Sequence, residues 1–225
     1  MQKSQVTLFS LLDDDVKSTP LFQQAITHRS ASKDNNECLE FLGDSVLSLI
    51  ITEYLYQHLP DADEGELSRL RASLVNGETL GQIGKENNLG DYIKLGSGEL
   101  KSGGHRRESI MEDALEAIIG AVFSLRGFDY TKNFVLQLFS GRLKNLPDPE
   151  TLKDPKTRLQ EWLQAKGDNV PVYKVLEVSG QAHQQIFTAE CRIESQNIAT
   201  QGKGSSRRKA EQAAAEAAFK KLSDD

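Results

Sequence analysis

Cysteine is scarce in this chain, with Cys38 and Cys191 the only two among 225 residues. A pair so far apart gives no disulfide framework. Each sits in an apolar-patterned segment where a reduced thiol serves as a small hydrophobe, and a cytoplasmic home is expected. Long apolar runs are missing as well. Stretches such as Leu49-Ile50-Ile51 fall far short of the roughly 20 residues a membrane-spanning helix needs, so no membrane association is expected. Near the N-terminus Leu8, Phe9, Leu11 and Leu12 form a brief apolar patch. Asp13-Asp14-Asp15 follow at once with no small-residue cleavage site, so no export signal is expected. No Cys/His cluster is present, which argues against zinc. The glycine run from Gly96 to Gly104 does not end in Gly-Lys-Ser/Thr, which argues against a phosphate-cradling loop and a nucleotide cofactor.

What is present divides into two halves of different charge. The net charge of -6 sums a first part, residues 1 to 152, with 15 basic and 23 acidic side chains, and a second, residues 153 to 225, with 12 basic and 10 acidic. The second part can meet a polyanion directly, while the first needs cations to tolerate one. Through residue 146 apolar residues recur at three and four with Gly and Asn as punctuation, which predicts an all-helical domain over residues 1–146. Pro147, Pro149 and Pro155, among Asp148, Glu150, Lys153 and Asp154, mark a linker over residues 147–154. A second domain is expected over residues 155–225. It has a short helix near Thr157 to Ala165, strands at Tyr173 and Val175 and from Phe187 to Ile193, and a third strand around Asn197 to Thr200. Gly202 and Gly204 then lead into an Ala-rich helix from about Ser206 to Leu222.

The densest chemistry lies from Asn35 to Leu47. On a helix, Glu37, Glu40 and Asp44 fall within roughly 60 degrees of one another, while Leu39, Leu42, Val46, Leu49 and Ile50 form an apolar arc on the other side. A second helix repeats the pattern, with Asp113 and Glu116 on one face and Leu115, Ile118, Ile119 and Val122 behind them. If the two apolar arcs pack together, the acids can converge. Carboxylates gathered without basic partners repel, and a hard divalent cation with oxygen ligands, Mg2+ with Mn2+ as substitute, resolves the conflict. A single such pattern is as readily a solvated helix face.

Asn35-Asn36-Glu37-x-Leu39-Glu40-Phe41-Leu42-Gly43-Asp44-Ser45 resembles the signature of the ribonuclease III family. The likeness continues in family order through Asp63-Glu64-Gly65, Leu67-Ser68-Arg69-Leu70-Arg71, Leu95-Gly96-x-Gly98-Glu99 and Asp113-x-x-Glu116-Ala117-x-x-Gly120, and runs from about residue 8 to 222. It is to the bacterial form, an all-α endonuclease domain followed by an α-β-β-β-α double-stranded-RNA-binding domain. The resemblance implies that Glu40, Asp44, Asp113 and Glu116 hold metal and that Asp44, Glu116, Glu37 and Glu64 serve catalysis, Glu37 and Glu64 beside the scissile bond. It implies metal-activated hydrolysis of duplex RNA to 5'-phosphate and 3'-hydroxyl ends with short 3' overhangs. It also implies a homodimer, with Phe41, which lies off the main apolar arc, at the seam. Duplex regions of ribosomal-RNA precursors and structured messenger RNAs are the implied substrates. His28 is read as structural, because the implied chemistry needs no imidazole. Lys101, Arg106 and Arg107 are candidates for steering phosphates, although a charged loop is more often only solvated.

In the second domain Thr157-x-Leu159-Gln160-Glu161, the loop from Gly180 to His183, and Gly204-Ser205-Ser206-Arg207-Arg208-Lys209-Ala210 resemble the double-stranded-RNA-binding domain. Three cations at a helix start are intrinsically unfavourable against the helix dipole, so they invite a phosphate; a basic solvated turn is the plainer reading. The resemblance assigns Thr157, Gln160, Glu161 and His183 to minor-groove contacts. Ser205, Ser206, Arg207, Arg208 and Lys209 fall to the phosphate backbone, with recognition by A-form shape. Two rivals stand beside this reading: a module that holds duplex RNA without cutting it, and an acidic surface that buffers cations or docks a protein.

Overall fold

The computed structural model describes residues 7–181 and 184–223, and the chain divides into two compact units, Met1–Pro149 and Glu150–Asp225. Among its described residues the first has only helices as regular structure, apart from an isolated bridge between Thr27 and Lys94. Its α-helices are α1 (Asp14–Lys17), α2 (Pro20–Ala25), α3 (Glu37–His58), α4 (Glu64–Val75), α5 (Gly77–Glu86), α6 (Ser97–Lys101), α7 (Glu108–Leu138) and α8 (Ser140–Lys144). Local chemistry sets the boundaries. Asp63 caps α4 by accepting from Glu66 N at 2.7 Å, and the Glu66 carboxylate answers by accepting from Asp63 N at 2.9 Å. Asn76 ends α4 and starts α5, taking the Thr79 N–H at 2.8 Å. α7 is broken at Gly127, whose φ of 73° lies in the left-handed region that favours glycine.

α3 and α7 form the centre of this unit. Leu47, Ile50 and Ile51 of α3, with Ala114, Leu115, Ile118, Ile119 and Val122 of α7, are fully enclosed. The helices cross at glycine. A methyl group on Gly43 would run into the Glu116 carbonyl and reach 3.0 Å from Gly120 N, and one on Gly120 would run into the Leu39 carbonyl. Backbones therefore touch where other helices are held apart by side chains, and the acids at and just before the crossing are carried toward each other.

One expectation about α3 changes. Its buried stripe is Leu39, Gly43, Val46, Leu47, Ile50, Ile51 and Leu55, while Leu42 is half-buried and Leu49 is exposed. The stripe is centred on Gly43 because α7 approaches there, which rotates Leu49 out of it. Leu49 joins Phe41 and Tyr56 on a third face, exposed and apolar, with Phe41 79% exposed. Cys38 is exposed too, so it is not the small core hydrophobe expected, whereas Cys191 is buried.

The chain passes into the second unit through a 3-10 turn at Pro149–Leu152, inside the stretch expected as a linker. It continues as α9 (Pro155–Ala165), β1 (Val172–Ser179), β2 (Ile186–Ile193), β3 (Ile198–Gly204) and α10 (Arg207–Ser223). The sheet is antiparallel in the order β1-β2-β3. Leu159 and Leu163 of α9, Cys191 and Ile193 of β2, and Ala214, Ala215 and Ala218 of α10 form its core. β3 runs through Gly202 to Gly204 instead of ending at Thr200. A Cβ at Gly202 would collide with the α10 backbone at Ala214, so glycine here lets helix and strand pack closely and is no turn signal.

Candidate active site and RNA-facing surface

The loop before α3 is pinned by backbone bonds. His28 N donates to Lys94 O at 3.0 Å, Lys94 N to Ile26 O at 2.8 Å, and Asn36 N to Thr27 O at 2.9 Å. This brings His28, Arg29 and Ser30 beside the first turns of α3 and α7. Together they enclose a depression of about 550 Å³, with Glu37, Glu40 and Asp113 on one side and Arg29, Asn36, Glu99 and Arg107 among its other lining residues. Asp44 and Glu116 flank the glycine crossing.

The electrostatics show that these acids act on one another. Burial pushes the Glu116 carboxyl up to about 8, helped by repulsion from Asp44, Glu112, Glu40 and Asp113. Glu40 is raised by burial, then by Asp113, Glu37 and Glu112, against relief from Arg29. Asp113 is raised by burial even though His28 and Arg29 pull it down. The packing that the glycines permit has therefore joined the two acidic faces into one field. Arg29 reaches Glu37 at 3.5 Å and Arg107 reaches Glu99 at 2.7 Å. Glu40, Asp113 and Glu116 take no ion pair among the described residues.

The donor set is all oxygen, runs from exposed Asp44 through half-buried Glu40 and Asp113 to buried Glu116, and is short of positive charge, which fits a hard divalent cation. Among the described residues, no three Asp, Glu, His or Cys side chains are already gathered closely enough to ligate one ion. Backbones converge, while carboxylates of one sign keep apart. Glu64 is not brought to this group: it lies in a separate groove of about 320 Å³ between α3 and α4, with Leu49, Tyr56 and Arg71, and accepts from the Ser68 hydroxyl at 2.7 Å.

Sequence reasoning missed three features. His28, read as structural, lines the depression and lowers Asp113. Glu112, beside Asp113 but not assigned, is itself raised by burial and by Asp113, and its carboxylate is packed where a side chain on Gly77 would have to go. Asn36, which stands out in the sequence only as one letter of a motif, is buried at the base of the site. The run of acids at 112, 113 and 116 was a readable hint for Glu112, but no spacing rule places a loop such as 27–36.

In the second unit Thr157, Gln160 and Glu161 lie on the exposed side of α9. Asp154 caps that helix, and the Thr157 hydroxyl donates to it at 2.6 Å; Glu161 is paired with Lys153 at 2.5 Å. His183 lies outside the described residues. At the start of α10, Ser206 Oγ accepts from Lys209 N at 3.2 Å and so works as a helix cap, and Ser205 is exposed. Arg207 is tied to Glu211 at 2.8 Å. Arg208 and Lys209 are exposed, with no carboxylate partner among the described residues.

Fold and site together define a two-part protein of nuclease type, one part carrying crossed acidic helices and the other an α-β-β-β-α unit with cations at a helix start. A family model described as Ribonuclease-III-like matches residues 18–143, and one described as Double-stranded RNA binding motif matches residues 155–222. Among curated relatives, Ribonuclease 3 of Vibrio cholerae is 50% identical over 217 residues, 96% of each chain. Ribonuclease 3 of Alkalilimnicola ehrlichii is 52% identical over 204 residues, 91% of this chain and 90% of that one. A solved nuclease domain of ribonuclease III from Campylobacter jejuni, 42% identical, superposes with a TM-score of 0.56 over 61% of this chain and 94% of its own. The chain belongs to the ribonuclease III family.

Proposed function

We propose that this protein cuts double-stranded RNA, with catalysis in residues 1–146, a link over 147–154 and duplex binding in 155–225. The observation that carries the reading is the mutual repulsion of Glu40, Asp44, Asp113 and Glu116 across the α3–α7 crossing, which Arg29 and His28 offset only in part. These four acids would hold Mg2+, with Mn2+ as substitute. Such an ion, when bound, would supply the positive charge that activates water and stabilises the departing 3' oxygen in phosphodiester hydrolysis. Asp44 and Glu116 stand closest to the crossing and orient the reacting groups, and Glu37 sits at the rim where the backbone of the substrate enters. Products carry 5'-phosphate and 3'-hydroxyl ends.

A second copy of the chain completes the enzyme in this reading. Phe41, Leu49 and Tyr56 present an unpartnered apolar face on α3, and the Campylobacter nuclease domain is described as structurally flexible in a region involved in dimer formation. Glu64 borders that face, so its part in catalysis depends on the seam. Two clusters, one per subunit, cut opposite strands and leave short 3' overhangs. Arg208 and Lys209 meet phosphates across the major groove, Arg207 shares itself between Glu211 and the backbone, and Gln160 and Glu161 reach a minor groove. Ser205 and Thr157 stand at the edges of these surfaces. Ribosomal-RNA precursors and structured messenger RNAs in the cytoplasm are the substrates.

Single-turnover cleavage of a perfect RNA duplex, an RNA–DNA hybrid and the two single strands, each with Mg2+ and with EDTA, tests the whole reading. Cutting confined to duplex RNA with Mg2+ is expected. Equal activity in EDTA would point to the acidic surface as a docking face, and binding without cutting to a pure RNA-holding module.

A further inference from the structure

Asn36 occupies the N-terminal boundary of α3, a place where asparagine ordinarily caps the helix. Here it does not. Its φ and ψ of -84° and -11° are already helical, and its side chain makes no cap bond. Asn35 does that work instead, accepting from Glu37 N at 3.0 Å. The Asn36 backbone is fully used, donating to Thr27 O and accepting from Leu39 N and Glu40 N. The residue is 2% exposed, and among the described residues its side-chain Nδ2 has no hydrogen-bond partner. A buried amide donor left unbonded is a cost to the fold, and buried polar groups are rarely kept so without another use.

The surroundings show what that use is. Asn36 lines the same depression as Glu37, Glu40 and Asp113, and Arg29 and Arg107, paired with Glu37 and Glu99, line it too. The two arginines give an otherwise acidic site the positive charge that lets an anionic chain approach it. We propose that Asn36 is a substrate-positioning residue whose side-chain NH2, enclosed in the free protein, turns into the depression when duplex binds and donates to an acceptor oxygen of the sugar-phosphate unit next to the scissile bond. A 2'-hydroxyl and a non-bridging phosphate oxygen present the same acceptor chemistry there. The proposal rests on the duplex-RNA-cleaving reading above.

The test uses the full-length protein and its Asn36→Ala variant in single-turnover cleavage at saturating duplex and Mg2+. The duplexes carry one 2'-deoxy or one phosphorothioate substitution at each nucleotide flanking the cut. Asn36→Ala is expected to slow cleavage about 10- to 100-fold, with a thermal midpoint equal to or above that of the wild type. One substitution should slow the wild type yet add nothing to the variant; a 2'-deoxy hit identifies the ribose and a phosphorothioate hit the phosphate. A variant that cuts at the wild-type rate overturns the proposal, as does one whose loss adds fully to every substitution. A variant that melts early or fails to fold also overturns it, because an unbonded side chain predicts no such loss. A wild type that cuts no duplex removes the underlying function as well, and is told apart by that control alone.

Discussion

Glu211 in the C-terminal unit and Glu116 in the N-terminal unit are buried to nearly the same degree, 7% and 8% exposed, yet their surroundings are opposite. Glu211 lies between Lys156 at 2.7 Å and Arg207 at 2.8 Å, and their hydrogen bonds hold its carboxyl below the usual range. Glu116 has four carboxylates around it and is driven up to about 8. A paired buried acid ties α10 to α9 and serves the fold. An unpaired one, placed where the fold gains nothing from it, marks chemistry. The acids of this chain thus fall into two kinds, which burial alone does not separate.

The sharpest way to break that division is Glu116→Gln, which keeps shape and removes charge. Cleavage of duplex RNA in Mg2+ should fall by on the order of 10³-fold, while duplex binding in a gel-shift assay stays within about twofold. Binding that collapses with cleavage would mean that Glu116 supports the fold as Glu211 does. The same substitution should raise stability in EDTA above pH 8, since it relieves the repulsion.

Next in size is Gly43→Ala. The added methyl meets the Glu116 carbonyl on α7, so the helices must separate. Unfolding by urea should report a loss of about 3 kcal/mol, with cleavage reduced alongside. A neutral result would show that the crossing does not depend on bare backbone contact. The corresponding contact in the second unit, Gly202 against Ala214, predicts a similar penalty there and so gives a matched control.

Which parts of this were legible in the sequence follows from range. The acidic faces at 37, 40 and 44 and at 113 and 116 were readable because helical period is local, and so were the strands at 187–193. That α3 and α7 meet was an assumption until Gly43 and Gly120 were seen to touch; glycines inside a helix carry no letter-level sign of what they approach. Leu49 was misplaced for the same reason, since a helix with apolar residues on two arcs does not announce which arc its neighbour takes. The depression around His28, Arg29 and Asn36 depends on a loop held by the bonds of His28 and Ile26 to Lys94, far along the chain, and no periodicity reaches so far. Ser206 was placed as a phosphate contact, and it is also the helix cap, a role spacing permits but does not distinguish.

Lys209→Glu probes the other side of the comparison, a cation with no carboxylate partner among the described residues. Duplex affinity should weaken about tenfold, roughly 1.4 kcal/mol, equally for unrelated sequences and with a shallower salt dependence. Lys156→Glu, by contrast, breaks the pair with buried Glu211 and should lower thermal stability with it. If Lys209→Glu also destabilised the protein, or if its effect followed one sequence, the free cation would not be a shape-reading contact.

The smallest effect concerns pH, and its sign differs between the units. Glu116 has a folded value of about 8 against an ordinary 4.5, so between those values the folded state binds more protons than the unfolded one. Stability of the N-terminal unit in EDTA should therefore fall as pH rises from about 4.5 to 8 and level off above it. Glu40, Glu112 and Asp113 are shifted the same way. In the C-terminal unit Glu211 is lowered by Lys156 and Arg207. Asp154 is lowered because hydrogen bonds from Thr157 and Gln212 outweigh its burial. There stability is complete above about 4.5 and lost as pH falls below it. Hydrogen exchange resolved by peptide, from pH 5 to 9 in EDTA, should show α3 and α7 loosening toward the alkaline end, with α9 and α10 unchanged. Saturating Mg2+ should flatten the trend in α3 and α7 alone. A slope that persisted in Mg2+ would mean that the ion does not sit among these acids.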